Sequence, residues 1–191
     1  DADAKEIGAV NTVVIKNGRL LGYNTDAAGF IDPLLTRFGS LADARVAIIG
    51  AGGAARAAIW ALQKQKANVT LFARDPAKAQ PLADNFRIAC ALLTGTSVSG
   101  YDFVVNATPL GSGRHIDESP ATREQLAGSR CVYDLIYNPV ETRLLLEARE
   151  AGCETLNGLE MLVAQAGMQF ELWTGKKFSR GFTRMNADVS F

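Results

Sequence analysis

The chain has 191 residues, 48% of them hydrophobic and 21% charged, so it can bury the core of one substantial α/β domain with some additional structure. Twenty Lys and Arg balance twenty Asp and Glu, and the single histidine and three cysteines lack metal-ligand spacing. This composition argues against nucleic-acid binding, an acidic-membrane surface or a metal site. No apolar run reaches the roughly 18 residues of a transmembrane helix, and no secretion signal is visible, so we expect a cytoplasmic protein.

The first predicted element is a β-hairpin with strands Thr12–Lys16 and Arg19–Tyr23. The pair Asn17-Gly18 between them is typical of a type I′ turn. Polar residues Asn24-Thr25-Asp26 follow and precede the amphipathic stretch Ala28–Phe38. Residues of this kind commonly cap helices, so a helix is expected directly after the hairpin.

A glycine-rich segment then predicts a nucleotide site. Residues Val46–Ala55 read as a buried strand that runs into a turn and then a helix, the opening of a dinucleotide-binding unit. Gly50 permits the tight turn, and Gly52 lets backbone N–H groups approach the phosphates without an intervening Cβ. The motif alone is moderately specific, because such turns also arise where a helix packs closely on a sheet.

The residue after the second strand, Asn68–Ala73, predicts which dinucleotide binds. NAD-binding units place an acidic residue there, about 20 residues beyond the glycines, whereas this chain has Arg74. A guanidinium suits the ribose 2′-phosphate of NADP. Asp75 either repels that phosphate or, with Pro76 behind it, caps the next helix. Lys78 is either a second cofactor-binding charge or a solvated surface lysine.

The rest of the chain alternates short β-branched runs with longer helical stretches, which is typical of a parallel sheet wrapped by helices. Further strands are predicted at Ile88–Leu93, Phe103–Ala107, Cys131–Leu135 and Glu154–Leu156. The clearest helices are predicted at Ala54–Gln65, Thr142–Ala151 and Glu160–Thr174. The predicted fold class is therefore α/β, a doubly wound Rossmann-type sheet with ligands at the carboxyl ends of its strands. We divide the chain into a junction segment with the hairpin (residues 1–25), the Rossmann domain (26–175) and a C-terminal tail (176–191).

Six sequence blocks carry a more specific resemblance. In chain order they are Gly8–Thr12, Gly22–Asp26, Gly50–Ala54, Asn106–Gly111, Tyr137–Thr142 and Gly158–Gln165. Together they resemble the shikimate dehydrogenase family, from residue 8 to residue 165. The resemblance implies an oxidoreductase of the shikimate pathway, in chorismate and aromatic amino-acid biosynthesis. Such enzymes reduce 3-dehydroshikimate to shikimate with NADPH in a cleft between two domains.

The resemblance implies a substrate site of hydrogen-bonding side chains. Asn11, Asp26 and Gln165 would bind the hydroxyls of the cyclic polyol acid, and Tyr137 would border the same pocket. Amide and carboxylate groups make paired hydrogen bonds to hydroxyls and reject analogues that leave them unpaired. Taken singly, each residue also fits a structural role: a turn, a helix cap, a half-buried aromatic residue or a helix surface.

The resemblance also extends the cofactor site. The phosphate loop would comprise Gly50, Ala51, Gly52, Gly53 and Ala54, and the adenosine end would lie at Arg74. Thr108 would line the dinucleotide, although the segment it opens also reads as a simple turn. Leu135 and Gly158 would border the nicotinamide, with Met161 beside them. Glycine at position 158 would let the nicotinamide approach the backbone closely.

Asp26 is the predicted catalytic residue, because in the family it pairs with a lysine that acts in proton transfer. That lysine belongs to an N-terminal substrate domain that no block of this chain matches, and Lys5 lacks the expected sequence context. We therefore expect the isolated chain to be inactive, since the proton step typically contributes about 10²- to 10⁴-fold. We expect the small-molecule substrate to bind only together with that missing domain, and the exposed inter-domain face to offer a surface for self-association.

Three functions follow from these expectations. The first is the cofactor-binding portion of an NADP-dependent shikimate dehydrogenase. The second is a quinate/shikimate dehydrogenase with relaxed choice between NAD and NADP, which Asp75 beside Arg74 leaves open. The third is a non-catalytic NADP-binding module.

Overall fold

The computed structural model describes residues 1–93 and 98–178, so most of the predicted tail lies outside the described residues. The helices are α1 Ala2–Ile7, α2 Asp26–Phe38, α3 Gly53–Lys64, α4 Pro76–Phe86, α5 Arg123–Leu126, α6 Arg143–Glu150 and α7 Gly158–Thr174. The strands are β1 Thr12–Lys16, β2 Arg19–Tyr23, β3 Arg45–Ile49, β4 Asn68–Ala73, β5 Ala89–Leu92, β6 Phe103–Asn106, β7 Cys131–Asp134 and β8 Glu154–Leu156.

Six of these strands form one parallel sheet in the order β5-β4-β3-β6-β7-β8. The strand order reverses at β3, as in doubly wound folds, where ligands bind outside the carboxyl ends of the strands. Ile49, the last residue of β3, pairs with Phe72 of β4 and with Asn106 of β6. The predicted Rossmann-type sheet is therefore confirmed, and its central strands end side by side at one edge.

The central strands are buried on both faces, which makes that edge a fixed platform. Every residue of β6 and β7 is buried, as expected for parallel strands covered by helices. Helix α3 packs closely through small side chains, because Ala55, Ala57 and Ala58 are all fully buried. Close packing of this kind resists movement and holds the strand ends in place.

The predicted hairpin is confirmed as a separate two-stranded antiparallel sheet of β1 and β2. Asn17 and Gly18 have φ values of 52° and 73°, the left-handed conformations that a type I′ turn requires. The Trp173 indole donates a hydrogen bond of 3.1 Å to the carbonyl of Val13, which ties the hairpin to α7. The hairpin therefore packs on the Rossmann domain through its last helix.

Several predicted boundaries differ from the structure by one or two residues, and two of them illustrate a physical reason. Helix α7 begins at Gly158 rather than at Glu160, because the Asn157 side chain accepts a hydrogen bond from Leu159 N at 3.0 Å and caps it. Strand β7 ends at Asp134, one residue before the predicted end at Leu135. At this point the Asp134 carboxylate joins a buried hydrogen-bond network and accepts a bond from Ile136 N. Both changes lie at the carboxyl edge of the sheet.

Candidate functional site

The glycine loop joins β3 to α3 at the carboxyl edge. Gly50 has a φ of 107°, and a Cβ there would lie 2.8 Å from the carbonyl oxygen of Ala107 and 2.9 Å from Thr108 Cγ2. A Cβ at Gly52 or Gly53 would meet nothing within 4 Å, so the space above the loop is open. No side chain caps α3 at Gly52, which leaves its first-turn N–H groups directed at that space. A pyrophosphate fits this arrangement.

Arg74 follows the last residue of β4 at the same edge and is exposed. Within residues 1–93 and 98–178 its guanidinium has no ion-pair partner. Asp75 caps α4 through a 3.3 Å hydrogen bond from Lys78 N, with Pro76 at the first helical turn. The predicted capping role of Asp75 is therefore confirmed, and Arg74 is the cation that remains available to a ligand.

A buried polar network lies beneath the loops that follow β6 and β7. Asn106 and Asp134 are both fully buried. Asp134 Oδ1 accepts hydrogen bonds from Asn106 Nδ2 at 3.0 Å and Ile136 N at 3.1 Å, and Oδ2 accepts one from Thr142 Oγ1 at 2.6 Å. Asn106 Oδ1 in turn accepts the Thr108 hydroxyl at 2.6 Å. The network therefore fixes Thr108 and the segment after Asp134 from below.

Neither Asn106 nor Asp134 is among the site residues predicted from the sequence. The available signal was a polar residue at the end of two apolar strands, Phe103–Asn106 and Cys131–Asp134, that are neighbours in the sheet. Burial raises the pKa of Asp134, while its hydrogen bonds from Thr142, Ile136 and Asn106 act in the opposite direction. The carboxyl group acts as a structural acceptor that shares no surface with solvent.

Gly158 is a point of close backbone contact within the protein. Its N–H donates a 2.9 Å hydrogen bond to the carbonyl of Ile136. An ideal Cβ at Gly158 would lie only 2.1 Å from the carbonyl oxygen of Leu135. Met161, one turn further along α7, is 8% exposed and belongs to the core. The chain itself therefore requires glycine at position 158.

A second group of polar side chains joins the hairpin end to α2 and α7. Asn11 donates from Nδ2 to Asp26 Oδ1 at 2.7 Å and to Thr25 Oγ1 at 2.9 Å. The Thr25 hydroxyl lies 3.4 Å from Gln165 Oε1. Helices α2 and α7 can come this close because Gly29 has no side chain. An ideal Cβ at Gly29 would lie only 2.9 Å from the Cβ of Gln165. Residues from three separate sequence blocks thus meet around Thr25.

Asp26 opens α2, but its carboxylate does not cap the helix. The Asn24 side chain accepts from Ala27 N at 3.2 Å, whereas Asp26 faces Asn11. Partial burial raises the pKa of Asp26, and the hydrogen bond from Asn11 lowers it to a smaller extent. Tyr137, the fourth predicted substrate residue, lies after β7 and is 51% exposed. Asn11, Asp26 and Gln165 are therefore brought together, with Tyr137 on the surface.

Among residues 1–93 and 98–178, no group of three or more His, Cys, Asp or Glu side chains is arranged to hold a metal ion. Within the same ranges, no helix has both the length and the apolar character needed to cross a membrane.

Two family models match the chain. The model described as shikimate / quinate 5-dehydrogenase matches residues 34–130, about half of the sequence. The model described as shikimate 5'-dehydrogenase C-terminal domain matches residues 158–184. The two matches include the glycine loop, Arg74, Thr108 and Gly158.

Known proteins that share this architecture extend the comparison. The shikimate dehydrogenase (NADP(+)) of Shouchella clausii is 45% identical over 187 residues, which cover 94% of this chain and 68% of that protein. The Thermus thermophilus shikimate 5-dehydrogenase, solved in complex with NADP(H) and shikimate, is 37% identical with a TM-score of 0.83, covering 94% of this chain and 67% of that one. Corynebacterium glutamicum quinate dehydrogenase, in complex with NAD, is 33% identical with a TM-score of 0.86, covering 97% and 69%. The chain thus spans about two thirds of the length of each.

Proposed function

The chain belongs to the shikimate and quinate 5-dehydrogenase family, and we propose that it supplies the NADP(H) site and part of the substrate site for reduction of 3-dehydroshikimate to shikimate. The observation that carries the proposal is the placement of two sites along one helix. Gly158 opens α7 beside Leu135, and Gln165 lies seven residues further, about 10 Å along the helix axis. A nicotinamide near Gly158 and a polyol acid near Gln165 would therefore be neighbours.

The residues of the glycine loop and β4 support binding of a dinucleotide phosphate. The open space above Gly52 and Gly53 accommodates the pyrophosphate, and the uncapped start of α3 offers N–H donors with the positive end of the helix dipole. Arg74 is unpaired among the described residues and would bind the 2′-phosphate. When bound, NADPH supplies the hydride.

The polar group around Thr25 supports binding of the substrate. The Asn11 amide donates hydrogen bonds to both Asp26 and Thr25, so it fixes the positions of their side-chain oxygen atoms next to each other. The Asp26 carboxylate is partly desolvated, which strengthens a hydrogen bond to a substrate hydroxyl relative to one in water. We propose that these groups bind and orient the cyclic polyol acid, and that Gln165 completes the set.

We expect the proton-transfer step to limit the catalytic activity of this 191-residue chain when it is tested alone. None of the described lysines lies within ion-pair distance of Asp26. We therefore expect binding without measurable formation of NADPH from shikimate and NADP⁺ in a spectrophotometric assay. Turnover by the purified polypeptide would contradict this expectation and would place the proton-transfer group within the chain.

Arg74→Ala tests the cofactor assignment. We expect calorimetric titration to show NADPH binding by the wild-type chain, weakened about 10- to 100-fold by the substitution, which corresponds to the roughly 1.5–3 kcal/mol of a hydrogen bond to a charged group. NADH affinity should change less than about twofold, because NADH lacks the 2′-phosphate.

A matched control is Arg19→Ala on the exposed hairpin, which removes the same charge away from the site and should leave both affinities unchanged. Equal NADPH binding by the wild-type chain and Arg74→Ala would refute the role of Arg74. Absence of NADPH binding by the wild-type chain would refute the proposed cofactor site as a whole.

A second candidate, a quinate/shikimate dehydrogenase with relaxed cofactor choice, is favoured by one observation. Asp75 places a carboxylate directly after Arg74, where NADP would bring its 2′-phosphate. The Corynebacterium glutamicum relative was solved with NAD. Comparing NADPH and NADH affinities in the titrations above separates the two candidates.

A further inference from the structure

We propose that Asp75 lowers the preference of this chain for NADP over NAD by holding Lys78 in an ion pair beside the 2′-phosphate position. This inference rests on the proposed function, because it concerns the same adenosine end of the cofactor site. It adds a residue that determines cofactor selectivity. It also predicts a weaker preference for NADP over NAD, which the presence of Arg74 alone does not predict.

Lys78 contacts the Asp75 carboxylate through both its backbone and its side chain. Asp75 Oδ1 accepts the backbone N–H of Lys78 at 3.3 Å, and Oδ2 lies 3.1 Å from Lys78 Nζ. Both oxygens are therefore occupied by one residue, three positions along the chain. The backbone contact is part of the N-terminal cap of α4, so it sets where the carboxylate sits.

The ion pair occupies the positive charge of Lys78, which the 2′-phosphate would otherwise attract. The Lys78 side chain is 86% exposed, so its burial does not prevent it from reaching a ligand. The carboxylate is ionised at neutral pH, since the side-chain and backbone hydrogen bonds of Lys78 lower the pKa of Asp75. Lys78 must leave this partner to bind a phosphate.

The local charge decides between the two cofactors. Arg74 and Lys78 contribute two positive charges, and Asp75 removes one. Because Lys78 is held by this carboxylate, a 2′-phosphate bound to Arg74 meets one available positive charge instead of two, which weakens NADP binding. The 2′-hydroxyl of NAD carries no charge, so its binding depends little on whether Lys78 is held by Asp75. Asp75 thus opposes NADP binding without opposing NAD binding.

Asp75→Asn is the sharpest test, because asparagine is an equally good N-cap residue but carries no charge. We expect the dissociation constant for NADPH to fall about two- to fivefold, because the exposed ion pair holds Lys78 only weakly, while that for NADH stays unchanged. The NADPH affinity should also depend more steeply on salt, because a second cation becomes available. Glu6→Gln, which breaks the distant Glu6–Lys64 ion pair with the same change in net charge, should leave both constants unchanged.

The double variant Asp75→Asn/Lys78→Met identifies the source of the gain. If Asp75 acts by holding Lys78, the double variant should bind NADPH as tightly as the single variant Lys78→Met does, because without Lys78 the carboxylate has no cation to hold. A gain that persists without Lys78, or an unchanged NADPH-to-NADH ratio in Asp75→Asn, would overturn the proposal. Failure of the proposed function gives a different pattern, in which Arg74→Ala has no effect on NADPH binding. Unchanged NADH affinity and an unchanged urea midpoint would show that each variant is folded.

Discussion

Replacement of Asp134 by alanine is expected to lower the free energy of unfolding by about 3–5 kcal/mol. The carboxylate is fully buried and is the acceptor for Ile136 N and the Thr142 hydroxyl. Removing it leaves both donors buried without that acceptor, and each such loss costs roughly 1–3 kcal/mol, to which a cavity adds. Urea unfolding followed by circular dichroism measures the change.

Asp134→Asn provides the matched comparison. Its amide oxygen keeps the bonds from Asn106 and Ile136, and the Thr142 hydroxyl can rotate to accept from the new NH₂ group, so a loss of only about 1–2 kcal/mol is expected. Asp117→Ala, at an exposed position, should change stability by less than about 0.5 kcal/mol. If Asp134→Ala stayed within 1 kcal/mol of the wild-type chain, the network would not hold the loops as described.

The same substitution is expected to disturb the candidate cofactor site. Thr108 is held by Asn106, and Asn106 is held by Asp134, so loss of the carboxylate loosens the segment that faces the glycine loop. Gly50 lies against Thr108 and Ala107, which couples this segment to the phosphate loop. The network therefore supports the segment around Thr108 directly and the phosphate loop through the contact with Gly50.

The parts of the fold that were predicted correctly rest on local signals. Asn17-Gly18 specifies its turn through the left-handed conformations that these two residues tolerate. Gly50 likewise marks the tight turn after β3. The strands were found because each is a short apolar run, and parallel strands buried on both faces need no alternating pattern. The local sequence is therefore sufficient to predict the structure wherever the conformation of a segment depends on its own residues.

The parts that were missed or misjudged depend on contacts between distant segments. Asn106 and Asp134 bond because their strands are neighbours in the sheet, which the sequence order of the strands does not state. The meeting of Asn11 with Gln165 around Thr25 depends on how closely α2 approaches α7. The resemblance to a family placed Asn11 and Gln165 in one site, whereas spacing along the chain could not.

Gly158 has a structural role in addition to its predicted place beside the nicotinamide. The family resemblance predicts that this glycine lets a nicotinamide approach the backbone. In the structure a Cβ would lie 2.1 Å from the Leu135 carbonyl oxygen and 2.5 Å from its carbon, both backbone atoms that cannot rotate away. The close contact between the start of α7 and the end of β7 explains glycine without any ligand.

Gly158→Ala is therefore expected to destabilise the protein by about 3 kcal/mol or more, since the added methyl group forces α7 away from the segment after β7. Gly53→Ala is the matched control, because a Cβ at Gly53 meets nothing within 4 Å and alanine is the better helix former. Its stability should be unchanged or slightly higher in the same urea titration. Gly53→Ala should instead weaken NADPH binding, because its methyl group enters the space above the phosphate loop. Unchanged stability in Gly158→Ala, with weakened NADPH binding alone, would show that the glycine serves the cofactor and that the backbone contact with Leu135 is dispensable.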